Sequence, residues 1–208
     1  MQGPQDIGFQ SSYITVGGLQ QPPYKWVRDG YFENPNDYRW WKRGTKVQTS
    51  IGISKILHGK GVSEGQGSRG WDSSAYNMIL VNETERFLDE HLTHRANDPF
   101  FAYVALGAVH VPHSPPFKYM DGSPVAGVYD TEHMDMLGEM DKVVGSLLQM
   151  LEDRSLLTNT IVIFTSDNGG LSSSMNVGHD SSYPLRGIKG EPYEGGHRVP
   201  LVVRWDEG

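Results

Sequence analysis

An apolar run, Thr160-Ile161-Val162-Ile163-Phe164-Thr165, ends in Ser166-Asp167-Asn168-Gly169-Gly170, and a glycine-flanked lysine follows in Gly187-Ile188-Lys189-Gly190. A strand that delivers a carboxylate and a carboxamide to its C-terminal end offers hard oxygen donors, which suit calcium or magnesium better than zinc. Asp-Asn-Gly is also a common turn, so the pair taken alone reads either way. Lys189 is either a solvated surface lysine or a compact positive charge that holds a tetrahedral oxyanion. Arg186 stands three residues earlier and Glu194-Gly195-Gly196 soon after, and an Arg186–Glu194 pair would shape that loop. A second apolar run, Pro99 to Leu106, leads into Ala108-Val109-His110-Val111-Pro112-His113. A histidine there titrates near working pH and can protonate a leaving oxygen. His113, bracketed by prolines, reads as a pocket-wall residue, and His179 as a lining residue or an exposed loop histidine.

The elements that must position these groups follow from periodicity and punctuation. Residues 1–70 show no sustained period, only short apolar pieces between Pro-Pro, Asn-Pro and glycine-rich breaks, with many aromatics from Tyr24 to Trp41. Met78, Val81, Leu88 and Leu92 recur at helical spacing and predict a helix over 73–94, with Ser73 or Ser74 as its cap. Asp130 or Thr131 opens a second helix to about Asp153, with Leu137, Val144, Leu148 and Leu151 on one face and Asp141 sharing that stripe. Near-continuous apolar runs predict buried strands near 100–106, 160–166 and 199–205, the first of them central in a parallel sheet. Strand, helix, strand is an α/β unit with a right-handed crossover. In such sheets ligands bind outside the carboxyl ends of the strands.

Composition narrows the function classes. The 208 residues suit one sizeable core, and a formal net charge of −7 argues against a nucleic-acid binder. With no cysteine, thiolate metal sites, disulfides and a cysteine nucleophile are excluded for this sequence. No apolar run approaches the length of a membrane span, and the first residues carry neither a basic nor an apolar signal region. Asn82-Glu83-Thr84 fits a glycosylation sequon but falls inside a predicted helix.

In combination, Val109-His110-Val111-Pro112, Asp141-Lys142-Val143-Val144-Gly145, Thr160 to Gly169 and Pro184 to Pro200 closely resemble the sulfatase family in its arylsulfatase-like branch. The resemblance is strongest from Asp98 to Gly208. It implies sulfate-ester hydrolysis on an α/β fold, an alkaline-phosphatase-like mostly parallel sheet flanked by helices, incomplete in this chain. Residues 1–208 then form a partial catalytic domain, with 1–70 an irregular variable region and 71–208 a strand-helix-strand core. It also implies one calcium ion held by Asp167 and Asn168, sulfate contact by Lys189, and His110 beside the sulfate and leaving group. His113, His179 and Arg186 are the lesser substrate-binding candidates.

The family's formylglycine arises from an early Cys/Ser-x-Pro-x-Arg motif, and neither that motif, nor the family's early aspartate pair, nor its Gly-Lys-x-His segment appears before Gly8. Gly59-Lys60 has no following histidine. The expectation is therefore an internal portion of a sulfatase holding half a calcium site and no nucleophile, inactive or nearly so alone. Its substrate would be an aryl sulfate or sulfated carbohydrate, and its compartment a secretory route. Uncovered apolar edges would make the isolated chain poorly soluble. Two alternatives remain open: a zinc-type phosphatase or phosphodiesterase of the same superfamily, and a non-catalytic remnant that binds sulfated glycans.

Overall fold

The structure is a computed structural model that describes residues 3–55, 63–171 and 178–206. His58, the Gly59-Lys60 pair and the middle of the loop from Gly170 to Tyr183 lie outside the described residues. The chain divides into two units, Met1–Leu147 and Leu148–Gly208.

The first unit opens with short antiparallel ribbons where the sequence shows no period. Strands β1 (Tyr13–Thr15), β2 (Trp26–Arg28) and β3 (Tyr31–Phe32) form one sheet. Strand β4 (Arg39–Trp41) pairs with β7 (Gly65–Gly67), and β5 (Val47–Gln48) with β6 (Ile53–Ser54). Strands this short hold through their aromatics rather than their ladders. Trp26 stacks on Tyr13 at 4.7 Å and meets Tyr76 at 4.8 Å and Trp71 at 5.9 Å. Leu19, Tyr24, Trp41, Trp71, Tyr76 and Leu80 complete the buried cluster. Gly67 lets it close, since a Cβ there would stand 2.5 Å from Tyr24 Cβ and 2.8 Å from Trp41 Cδ1.

Helix α1 (Tyr76–Arg95) follows a 3-10 turn over Ser73–Ala75. That turn is capped by Asp72 rather than by either serine, the Asp72 carboxylate accepting from Ser74 N at 2.9 Å, and α1 itself has no side-chain cap. An aspartate at this position satisfies the free N–H groups and complements the helix dipole. Arg28 joins β2 to α1 through two 2.7 Å bonds to Glu83.

Helix α2 (Glu132–Asp153) is entered from Thr131, whose Oγ1 accepts from Met134 N at 3.2 Å. The Asp135 carboxylate gathers three backbone N–H groups of the approach loop, Gly127 at 2.7, Val128 at 3.0 and Tyr129 at 2.8 Å. The fully buried stripe of α2 runs through His133, Met136, Glu139, Val143 and Met150, beside the expected Leu137, Val144, Leu148 and Leu151, which are only half-buried. Apolar residues alone misplace the stripe because polar residues occupy part of the inward face. Asp141 is exposed, outside that stripe.

The strand expected at 100–106 does not form. These residues run outside any strand, with Phe101 73% and Tyr103 75% exposed. A central parallel strand needs a neighbour on each side, and the described residues supply neither.

The second unit holds the end of α2, a 3-10 turn over Leu157–Asn159, strands β8 (Val162–Thr165) and β9 (Leu201–Arg204), and a one-turn helix α3 (Glu194–His197). Strands β8 and β9 fall where expected but pair antiparallel, with Ile163 opposite Val203. Neither is buried on both faces: Leu201, Val202 and Val203 are all exposed. A two-stranded ribbon leaves its faces open unless another layer covers them.

Candidate active site

The C-terminal end of β8 opens into a cluster built on backbone contacts among glycines. Gly169 N donates to Gly196 O at 3.0 Å, Lys189 N to Gly170 O at 2.8 Å, and Gly195 N to Arg186 O at 2.8 Å. Only glycines permit this approach, because a Cβ on Gly169 would stand 1.8 Å from Gly195 O and one on Gly195 2.1 Å from Gly187 O. Gly187 also adopts φ +92°, a backbone region side chains rarely enter. Buried Ser182 donates its Oγ to Gly195 O at 3.1 Å and completes the fastening. The strand end carrying Asp167 and Asn168 and the loop carrying Lys189 are thereby joined directly.

The side chains of this cluster are free for a ligand. Asn168 Nδ2 donates to Gly169 O at 3.0 Å, and its Oδ1 accepts no hydrogen bond among the described residues. Among the described residues the exposed Asp167 carboxylate has no hydrogen bond or ion pair, and neither does the half-buried Lys189 ammonium. A free carboxylate and a free amide oxygen fit a hard cation in kind. They fall short in number of the roughly six to eight oxygens calcium takes, and no group of three or more His, Cys, Asp or Glu converges among the described residues.

Arg186 does not pair with Glu194. Its guanidinium stacks on the Tyr193 ring at 3.7 Å and donates to Tyr193 Oη at 2.7 Å. Glu194 is held within its own helix by Arg198 at 3.3 Å and His197 at 3.7 Å. The i, i+4 spacing places Arg198 one turn on, a nearer partner than a loop arginine. His179 is half-buried in the same unit.

His110 and His113 share a loop of the first unit. His110 N donates to Gly107 O at 2.8 Å, and its Nδ1 lies 2.8 Å from Val111 O, which leaves Nε2 as the outward nitrogen. His113 sits edge-on to His133 at 5.1 Å. Burial first, and the neighbouring His133 second, hold its pKa below the ordinary imidazole value. Its Nε2 has no hydrogen-bond partner among the described residues. Elsewhere in this unit a cavity of about 310 Å³ is lined by Lys55, Phe117, Tyr129, Asp130 and Glu132 among others. Buried Lys55 forms an ion pair with Glu132 at its wall. Sequence reasoning passed over Asn77, whose buried amide supports the His110 loop; the available signal was a polar residue on the apolar face of α1.

A strand-end carboxylate and carboxamide joined to a lysine loop suit an anion site in kind, and comparison with known proteins supplies the family. The sulfatase family profile matches residues 8–208. The chain therefore belongs to the sulfatase family. It is 28% identical over 231 residues to an N-acetylgalactosamine-6-O-sulfatase of Bacteroides thetaiotaomicron, covering 97% of this chain and 43% of that protein. It is 38% identical to the N-acetylgalactosamine-6-sulfatase of Canis lupus familiaris, over 60% of this chain and 24% of that one. A sulfatase structure from work on glycosaminoglycan metabolism in Bacteroides thetaiotaomicron superposes with a TM-score of 0.75 at 24% identity, over 99% of this chain and 47% of that one. That likeness establishes the fold, the incomplete α/β domain expected from the sequence. A Pseudoalteromonas sulfatase structure matches 64% of this chain and 25% of its own, with a TM-score of 0.53 and 32% identity. The chain spans about half or less of the length of these relatives.

Proposed function

We propose that this chain forms part of the catalytic domain of a sulfuric ester hydrolase and supplies the cation-and-sulfate side of its active site. The observation that carries the reading is the 2.8 Å bond from Lys189 N to Gly170 O, which joins a free ammonium's loop to the strand end bearing the free Asp167 carboxylate and Asn168 amide oxygen. Asp167 and Asn168 would hold calcium, with further ligands from residues this sequence does not contain. The ion, when bound, supplies positive charge against the sulfate oxygens. Lys189 places its ammonium against the same oxygens and offsets charge that builds as the S–O bond to the alcohol breaks. His110 gives a proton to the departing alcohol oxygen. The nucleophile implied by the family, a formylglycine, has no cysteine precursor here. The relatives' names point to a sulfated carbohydrate, with N-acetylgalactosamine 6-sulfate the first substrate to try. A secretory compartment fits the same resemblance.

The test is expression of the native gene product in a host that makes formylglycine, with turnover measured on 4-nitrophenyl sulfate, N-acetylgalactosamine 6-sulfate and 4-nitrophenyl phosphate. Calcium-dependent release of sulfate, lost in Lys189→Ala and Asp167→Ala, supports the reading. Preference for the phosphate ester with zinc would replace it with a phosphatase. Binding of a sulfated glycan with no turnover of any ester would replace it with a binding role.

A further inference from the structure

Four cations crowd into one short stretch, Arg39-Trp40-Trp41-Lys42-Arg43-Gly44-Thr45-Lys46, and no acidic residue falls between Asp37 and Glu64. The chain as a whole carries a net charge of −7, so this excess is local. Strand β4 organises it. Trp41 is buried and donates its indole N–H to Ser68 O at 3.1 Å, while Trp40, on the other side of the strand, is 58% exposed opposite Gln66 of β7. The Arg39 guanidinium lies over the anchored Trp41 ring at 4.1 Å. It makes no hydrogen bond or ion pair among the described residues, and neither does the Lys42 ammonium. A surface cleft of about 350 Å³ is lined by Tyr38, Arg39 and Arg69. Arg69 is held there by a 3.3 Å bond from its Nε to Tyr38 O and by Asp37 at 3.8 Å.

Charge alone is an ordinary guard for the edge of a short strand. An exposed tryptophan and tyrosine set among the charges work against that purpose, because they add the apolar surface that marks a contact site. Flat aromatic rings stack on the apolar faces of sugar rings, and their polar tips stay available to hydroxyls. Guanidinium groups fork onto tetrahedral oxyanions, and one laid against an aromatic ring is already oriented, so it loses less freedom on binding. Rings and forks together suit a ligand that is both ring-built and anionic.

We propose that the β4 segment from Tyr38 to Lys42, with Arg69, is a binding surface for a sulfated carbohydrate chain: Tyr38 and Trp40 stack on sugar rings while Arg39, Lys42 and Arg69 hold sulfate groups. The choice of a sulfated sugar rests on the function proposed above, while the pairing of rings with cations does not.

The test follows the anisotropy of end-labelled oligosaccharides titrated with the dilute full chain. The probes are chondroitin 6-sulfate, whose repeat carries N-acetylgalactosamine 6-sulfate, its chemically desulfated form, and a single-stranded oligothymidylate. The sulfated probe should bind, and Trp40→Ala should weaken it by about tenfold or more, the scale of one central aromatic contact. Arg39→Gln with Arg69→Gln should weaken it as much and flatten its salt dependence. Arg95→Gln with Lys118→Gln, which removes the same charge from exposed positions elsewhere, should bind like wild type. Equal binding of the desulfated probe, no loss in Trp40→Ala, or an equal loss in the Arg95 and Lys118 pair overturns the proposal. Oligothymidylate bound as tightly as the sulfated probe also overturns it, in favour of a nucleic-acid surface. Release of sulfate from 4-nitrophenyl sulfate by the native gene product, without binding of the sulfated probe, would uphold the hydrolase and overturn the surface. Trp40-dependent binding without turnover of any ester would do the reverse, so the two failures are separate.

Discussion

Burial pushes the Glu139 carboxyl from 4.5 up to about 7, and the hydrogen bond from Asn77 pulls it back only in part. The phenol of Tyr119 lies within its field, its own pKa raised by burial first and by Glu139 in smaller measure. Because the folded pKa exceeds the unfolded one, the folded chain binds the extra proton between these values. Stability is then fully present below about 4.5 and falls as pH rises through 7, by about 3 kcal/mol at roughly 1.4 kcal/mol per pH unit. His113 works in the opposite sense: its depressed pKa makes stability fall as pH drops below the ordinary imidazole value. Urea melts of wild type and Glu139→Gln from pH 5 to pH 8 separate the two, since the substitution leaves His113 in place. The difference in stability between the two proteins should change steadily toward the variant as pH rises, and a constant difference would show that Glu139 does not titrate in the fold.

At the scale of elements, the glycine contacts after β8 and the exposed Gly145 on α2 predict opposite outcomes for the same substitution. Gly169→Ala sets a Cβ 1.8 Å from a backbone oxygen, which no rotamer change relieves. It should cost on the order of 1–3 kcal/mol and expose the amides of Lys189 and Gly195 to exchange. Gly145→Ala, exposed within α2 and with nothing within 4 Å of its new methyl, should stabilise by about 0.5–1 kcal/mol. Thermal melts with site-resolved exchange check both.

The same contrast explains what the amino-acid sequence discloses. Helices α1 and α2 and strands β8 and β9 were legible because local periodicity and apolar runs mark them. The Asp167, Asn168 and Lys189 cluster was legible because its glycines punctuate the chain. The ribbons from β1 to β7 were not, since strands of two or three residues exist only through partners distant in sequence. Residues 100–106 were read as a central strand because an apolar run says nothing about whether neighbours are present to pair with it. The buried face of α2 and the support from Asn77 were hidden for one reason: polar residues in a helix read as surface until their surroundings are seen.

For the molecule as a whole, the apolar strands carry the consequence. Ile163 is 61% and its cross-strand partner Val203 57% exposed, and Leu201 and Val202 lie open beside them. Flanking side chains cannot shield such a ribbon, and β9 offers an unpaired edge as well as open faces, the combination that seeds association between chains. None of the described helices is long and apolar enough to cross a membrane. The chain by itself should therefore associate as concentration rises, through β8 and β9 before any other surface of the second unit. Sedimentation velocity across a dilution series tests this, with Ile163→Thr and Val203→Thr together as the comparison. Threonine keeps the β-branched shape that suits a strand while removing apolar surface, so the double variant should remain folded and shift the population toward monomer. A wild-type chain that stays monomeric at every concentration, with a single sharp melt, would mean that the open faces are covered within the chain and that β8 and β9 need no further layer.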